Sequence, residues 1–323
     1  MRRLLERLGH PERQYPAIHV VGTNGKSTAT RTIAALLQAE GRRAGAYTSP
    51  HVSGWSERIW VDGVEADFEQ AIARIRAQAE ELGATQFEAL TAAALCEFAH
   101  QEVDVAVIEA GLGGRLDATN VVNAPVVLLT NVALEHTEVL GETPEEIAAE
   151  KLAVAHVARV VVRQDNRYDR LIPKSADIVT GGAREAAESF LGGPIRSDPA
   201  VSLPGRLERR GRELWDGAHN PAGTAWLRAA LTERYDVVVA SILVDKDADA
   251  MLRDLAELAP RLIATQSTNE RALPASELAR LGAGHFQHVE AEPDPKTALA
   301  RARESTDGRV LVTGSLYLLA DLS

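Results

Sequence analysis

The stretch Ala17-Ile-His-Val-Val21, followed by Gly22-Thr-Asn-Gly-Lys-Ser-Thr28, decides the reading of the fold. Ala17 to Val21 is apolar except for His19 and predicts a buried strand. Ser27 to Glu40, with Ile33, Leu36 and Leu37 on one face, predicts a helix. Between them lies a glycine-punctuated turn. At such a strand-to-helix junction, free backbone N–H groups and the helix dipole favour bound phosphate. The glycines let phosphate approach the backbone, Lys26 reaches the outer phosphates, and Ser27 is placed to hold Mg²⁺. The match to G-x-x-x-x-G-K-[ST] is incomplete, because Val20 stands where the first glycine would be. A plain glycine-rich turn carrying a solvated lysine is the competing account. A helix dipole contributes only ~0.3 to 1 kcal/mol at an exposed terminus, so a nucleotide here needs Lys26 and a metal as well.

Working outward, short apolar strands alternate with helical patterns, the signature of an α/β protein whose functional loops sit at the carboxyl ends of strands. Ala44 to Tyr47 predicts a strand ending at Thr48-Ser49-Pro50-His51. Asp67 to Leu82, with Phe68, Ile72, Ile75 and Ala79 at spacings of three and four, predicts one amphipathic helix, and Phe87 to His100 an alanine-rich one. A strand from Val103 leads into Glu109, and Val126 to Thr130 is apolar enough to be central. Thr143-Pro-Glu-Glu146 has capping-box spacing and starts a helix running through Lys151. Arg159 to Arg163 and Asp177 to Thr180 predict further strands. From Asp165 to Pro204, glycine and proline loosen the pattern, which places a domain boundary there: residues 1–203, then 204–323. The second part predicts strands at Glu213 to Trp215, Val237 to Ile242, Arg261 to Ala264 and Arg309 to Thr313.

A chain of 323 residues with a net charge of −11 has no broad basic face for nucleic acid. One cysteine, Cys96, cannot form an internal disulfide, and no Cys/His cluster has zinc spacing. No apolar run reaches the length of a membrane span and no signal-peptide pattern opens the chain, so the expectation is a cytoplasmic protein without membrane contact. Only Lys26, Lys151, Lys174, Lys246 and Lys296 are lysines, so each retained one invites a reason. Glu109 ends one strand, Asn131 and His136 follow another, and the three are candidates for a metal position. Mg²⁺ prefers oxygen ligands, so a carboxylate with the Ser27 hydroxyl is an ordinary set and a histidine a less usual member. Singly, each of these residues could equally be a satisfied loop side chain.

The strings GTNGKST, TSPH with SERI, IEAGLGGRLDATN, TNVALEHT, the Glu150-Lys151 pair, LPGRLE, DGAHNP, LVDKD and VTGSLY occur in this order through nearly the whole chain. Their order resembles that of the folylpolyglutamate synthase and dihydrofolate synthase family of the Mur ligase superfamily. The resemblance implies a P-loop-containing Mur-ligase-like ATPase domain followed by a smaller Rossmann-like α/β domain. It implies an ATP-dependent carboxylate-amine ligase that forms an acyl phosphate and adds an amino acid, glutamate, to a pterin- or folate-type acid. By the same resemblance Gly22, Thr23, Asn24, Gly25, Lys26, Ser27 and Thr28 bind ATP phosphates; Ser27, Ser49, Glu109 and His136 hold Mg²⁺; and Lys151 is the family's carbamylated lysine. Lys26, Lys151 and His136 are then the catalytic set. Arg206, Asp216 and His219 reach nucleotide phosphate and ribose, while His51 lines the pterin side and Lys246, Asp247 and Ser315 lie near the amino acid. The expected partners are small molecules, and the enzyme is expected to be a monomer.

The pattern departs from the family in three places. Ser27 follows Lys26 without the usual intervening glycine; LEHT replaces LDHT and KLAVAH replaces KAGI; and little chain separates Lys151 from Pro204. Relatives place there an Asn-containing helix beside adenine, for which Asn166 is no counterpart. Three alternatives follow: a nucleotide-binding homologue without ligase activity, a Mur-like ligase acting on a non-folate acid, and a P-loop kinase that leaves DGAHNP without a role.

Overall fold

The computed structural model describes residues 1–323, which divide into two units: Met1–His51 with Trp55–Val201, and Val52–Gly54 with Ser202–Ser323. The first unit contains the strands β1 (Ala17–Val21), β2 (Ala44–Tyr47), β3 (Ile59–Val61), β4 (Val64–Glu65), β5 (Val105–Glu109), β6 (Val126–Leu129), β7 (Val160–Arg163) and β8 (Asp177–Thr180). They form one sheet in the order β4-β3-β2-β5-β1-β6-β7-β8. Pairing is parallel from β2 through β8, and β3 and β4 add an antiparallel edge. Side chains of β1 alternate between two cores. Ala17 and Val21 join Leu95 and Phe98 of the helix Gln86–His100, while Ile18 and Val20 join Ile33, Leu36 and Leu37 of the helix Lys26–Ala39. Burial on both faces explains the nearly unbroken apolar runs of the central strands.

Thr143 and Glu146 form both hydrogen bonds of the capping box that opens the helix Pro144–Leu152. The span predicted as one helix from Asp67 to Leu82 is two, Phe68–Ala73 and Arg76–Glu81. Ile75 leaves the helical ladder at φ −116° and fills the core at 1% exposure, and the adjacent Arg74 pairs with buried Glu97 at 3.2 Å. The β5 strand starts at Val105 rather than Val103, because the Val103 amide still closes the preceding helix on the Phe98 carbonyl. Between Lys151 and Pro204 the chain lays down β7, β8 and the helix Ala183–Leu191, whose Ala186 and Ala187 pack with Ile33 and Leu37. Asn166 is exposed in a short 3₁₀ turn capped by Asp165. No helix is long and apolar enough to cross a membrane.

The second unit holds β9 (Glu208–Arg210), β10 (Glu213–Trp215), β11 (Val237–Ala240), β12 (Arg261–Ala264), β13 (His288–Ala291) and β14 (Val310–Thr313). Their order is β13-β12-β11-β14-β10-β9, parallel apart from the β9–β10 hairpin. Because β14 returns between β11 and β10, the carboxyl ends of those three strands lie side by side at a switch in strand order, where open α/β sheets bind ligands. Val52 packs here with Trp215, Leu316 and Leu319.

Candidate active site

In the first unit, the loops following β1, β2, β5 and β6 converge. Gly22 has φ +145°, and a Cβ there would stand 1.9 Å from Thr130 Oγ1, so only glycine lets the β1 and β6 ends approach this closely. The loop is then stitched to the β6 end. The amides of Thr23 and Asn24 each donate at 2.9 Å to Asn131, to its carbonyl and its Oδ1, and Thr130 Oγ1 donates to the Asn24 carbonyl at 2.7 Å. Gly25, at φ +79°, turns the chain into the helix Lys26–Ala39, whose first amides face the loop. Without an intervening glycine, Ser27 falls in the first helical turn, 7% exposed, and its Oγ donates to Glu109 Oε1 at 3.1 Å. Glu109 Oε2 accepts from the Ser49 amide at 3.0 Å. Ser27, Ser49 and Glu109 therefore meet. Lys26 Nζ donates to the Thr23 carbonyl at 2.9 Å.

Lys151 is 2% exposed, so it is not a solvated lysine at a helix end. Its Nζ donates to the Gly22 carbonyl at 2.8 Å and lies 3.4 Å from Glu135 Oε1. Burial, reinforced by the charge of Lys26 and opposed by Glu135, lowers its pKa to about 8. Gly114 makes this seat possible: a Cβ there would stand 2.6 Å from the Lys151 carbonyl oxygen. Glu135 is the residue by which LEHT departs from the family string, and the structure gives it the role of counter-charge to Lys151.

His136 does not join this group. It begins the helix Thr137–Leu140 at φ 47°, and its Nδ1 lies 3.8 Å from Glu138, with no hydrogen bond or ion pair to Ser27, Ser49 or Glu109. No group of three or more His, Cys, Asp or Glu side chains is disposed to hold a metal ion. The oxygen set of Ser27 and Glu109 suits Mg²⁺, which takes few protein ligands and completes its shell with water and phosphate. Thr28 is exposed on the first turn. His51 is held apart, its Nδ1 accepting from Arg58 Nε at 2.9 Å and its ring 4.4 Å from Trp55. Burial and the Arg58 charge lower its pKa, which keeps it neutral.

In the second unit LPGRLE and DGAHNP fold onto one another. Asp216, 5% exposed, accepts from the Leu207 and Ala218 amides, each at 2.9 Å, and the Gly217 amide donates to the Gly205 carbonyl at 2.8 Å. Burial raises the Asp216 pKa. Arg206 Nη1 donates to the Gly205 carbonyl, and His219 Nδ1 to the Gly217 carbonyl at 2.8 Å. Asp247 and Ser315 cap helices by accepting from the Ala250 and Tyr317 amides, and Lys246 pairs with Asp245 at 2.8 Å. Asp216 and His219 follow β10, Lys246 and Asp247 follow β11, and Ser315 follows β14, so all five stand at the adjacent strand ends.

The Mur ligase middle domain matches residues 20–198, and the Mur ligase glutamate ligase domain matches residues 205–316. The fold and the converging loops are those of a Mur-type ligase. A Mycobacterium tuberculosis dihydrofolate synthase/folylpolyglutamate synthase is 32% identical over 371 aligned positions, covering 87% of this chain and 76% of the relative. The crystal structure of M. tuberculosis folylpolyglutamate synthase complexed with ADP and AMPPCP superposes with a TM-score of 0.89 at 29% identity, over 99% of this chain and 92% of that one. A Yersinia pestis bifunctional folylpolyglutamate synthase/dihydrofolate synthase complexed with AMPPNP and Mn gives 0.86 at 29%, over 99% and 91%. This chain belongs to the dihydrofolate synthase/folylpolyglutamate synthase family. An alignment of 371 positions exceeds the 323 residues available, so the M. tuberculosis relative carries segments this chain lacks.

Proposed function

We infer that this chain is an ATP-dependent acid–amine ligase that joins glutamate to a folate-type acid. The observation that carries the reading is the convergence of the phosphate loop, the Ser27–Glu109 pair and buried Lys151 in the first unit. Gly22 to Thr28 form the phosphate cradle, with backbone amides and Lys26 facing the nucleotide's anionic end. Lys26 is then drawn from the Thr23 carbonyl to the outer phosphate. Ser27 and Glu109 supply oxygen ligands for Mg²⁺, with Ser49 fixing the carboxylate through its amide. A bound Mg²⁺ supplies neutralisation of charge on the phosphoryl group under transfer. His136, half-buried before the helix Thr137–Leu140, serves a second metal position or a metal-bound water.

Lys151 is proposed as a carbamylated lysine. Its lowered pKa leaves neutral amine for reaction with CO₂, and the resulting carboxylate faces the Lys26 cation. In the second unit Arg206, Asp216 and His219 approach nucleotide phosphate and ribose; Lys246, Asp247 and Ser315 serve the amino acid, and His51 the pterin. The enzyme acts as a cytoplasmic monomer on small molecules. A nucleotide-binding homologue without activity would have no use for a buried lysine held against the phosphate loop.

The test is phosphate release from ATP and Mg²⁺ across a panel of carboxylates and amino acids, pterins first. Release that needs both an acid and an amine, and is lost in Lys26→Ala, supports the reading. Tight nucleotide binding without turnover on any pair overturns it, while turnover on a non-folate acid alone overturns only the folate assignment.

A further inference from the structure

Strand β1 carries one polar side chain, His19, 1% exposed, on the face that packs against the helix Gln86–His100. An imidazole in the middle of a sheet is costly unless its N–H is satisfied. Its Nε2 lies 2.9 Å from Thr119 Oγ1, and Thr119 in turn bonds Asp117 Oδ1. The direction of this relay follows from counting protons. A carboxylate only accepts and a threonine hydroxyl has one proton, so Thr119 donates to Asp117 and accepts from His19 Nε2–H. Burial, which lowers the His19 pKa to about 4, keeps it neutral in that tautomer. Asp117 also accepts from the Thr119 amide at 2.9 Å and, through Oδ2, from the Leu112 amide at 2.8 Å. The loop from Gly111 to Asn120 is thereby tied to β1.

That loop is the seat of Lys151. Gly114 lies against the Lys151 carbonyl, the Arg115 amide donates to the Glu150 carbonyl at 3.2 Å, and Arg115 Nε donates to Glu150 Oε2 at 3.1 Å. These contacts fix the end of the helix Pro144–Leu152, from which Lys151 reaches the Gly22 carbonyl. One short stretch of chain thus supplies both the carbonyl that Lys151 binds and the imidazole that sets the loop beneath it. We propose that His19 is a positioning residue for Lys151, acting through Thr119 and Asp117 on the Gly111 to Asn120 loop. The proposal rests on Lys151 belonging to the active site.

The scarcity of lysines makes a direct test possible. In the full chain labelled with ¹³C at the lysine Cε, only five residues contribute, and Lys151→Arg assigns the Lys151 signal. Spectra are taken in CO₂-free buffer, so that the free amine is observed. The wild-type Lys151 signal is expected apart from those of exposed lysines. His19→Leu is expected to move it onto the exposed-lysine position and to lower kcat about tenfold or more, with KM for ATP changed by no more than about twofold. His19→Gln, whose amide N–H replaces Nε2–H, is expected to retain the signal and to keep kcat within about threefold of wild type. If His19→Leu fails to fold, Thr119→Val breaks the same relay and is expected to give the same displacement. An unmoved Lys151 signal in a folded His19→Leu or Thr119→Val chain, with only the melting temperature reduced, would overturn the proposal and leave His19 a core residue. Absence of turnover in the wild type would instead count against the ligase reading, with the spectra still interpretable.

Discussion

Replacing Lys151 by arginine keeps a cation at the end of the helix Pro144–Leu152 but removes the amine that CO₂ can modify. Only neutral amine reacts, so the pKa sets how much is available. At the ordinary lysine value of 10.5, roughly 0.1% is neutral at pH 7.5; at about 8 the fraction is about a quarter, a gain of roughly 200-fold. Forming the carbamate also exchanges a buried cation for an anion beside Lys26 and Glu135; the first contact improves and the second becomes repulsive. Mg²⁺ is therefore expected to raise carbamate occupancy. The assay is ¹³C NMR of the full chain in labelled bicarbonate, with activity measured in parallel. One carbamate signal is expected in the wild type, growing from pH 6.5 to pH 8.5 as the amine deprotonates, and absent from Lys151→Arg. Loss of a charged positioning group is expected to cost about 3 kcal/mol in the transition state, roughly 10²-fold in kcat. A wild-type chain with no carbamate at any pH in that range, together with a fully active Lys151→Arg, would refute the reasoning.

Four further outcomes follow from the same geometry. Lys151→Met tests linkage: because the folded-state pKa is lowered, the unfolded chain binds more protons between pH 8 and 10.5. In CO₂-free buffer the stability of wild type relative to Lys151→Met should therefore rise with pH across that window, by up to about 3 kcal/mol in denaturant titrations. Gly114→Ala pushes a Cβ to 2.6 Å from the backbone oxygen of Lys151 and is expected to destabilise by about 1–3 kcal/mol and to lower kcat, read by thermal melts and initial rates. Thr143→Ala removes one capping-box partner and is expected to cost about 1 kcal/mol in chemical denaturation, with kcat retained at temperatures where the chain stays folded. Glu109→Gln removes the carboxylate charge beside Ser27 and one of its two oxygens; a Mg²⁺ titration of activity should show a higher Mg²⁺ concentration for half-maximal rate.

The central strands and the phosphate loop could be read from the sequence because both rest on local signals. β1 and β2 fall on the predicted residues, since doubly buried strands are written as apolar runs and the turn after β1 needs its glycines; β8 does so too, although it is an edge strand with most of its side chains exposed. The two-residue β4 and the strands β9 and β13 carry no such run; they are short or at a sheet edge, with most side chains toward solvent. The break at Ile75 was hidden for another reason: helical spacing continues through it, and the kink is imposed by core packing and the Arg74–Glu97 pair. In the site, residues near one another in sequence were found readily, whereas long-range pairings such as Lys151 with Gly22 and Ser27 with Glu109 had no local signature. The Glu135 partnership appeared in the sequence only as a mismatch to the family string. The relay from His19 to Asp117 had even less to show, since a lone histidine in an apolar strand and a threonine a hundred residues away share no pattern.

The most direct measurement of the central claim follows oxygen. With ¹⁸O in the carboxylate of the folate-type acid, ligation through an acyl phosphate carries one carboxylate oxygen onto phosphorus when the amine displaces phosphate at the carbonyl carbon. The expected result is one ¹⁸O in the inorganic phosphate for each amide formed, seen by mass spectrometry, and none when ATP or the acid is omitted. Amide formed alongside unlabelled phosphate, or labelled acid recovered unchanged while ATP is hydrolysed, would contradict the account.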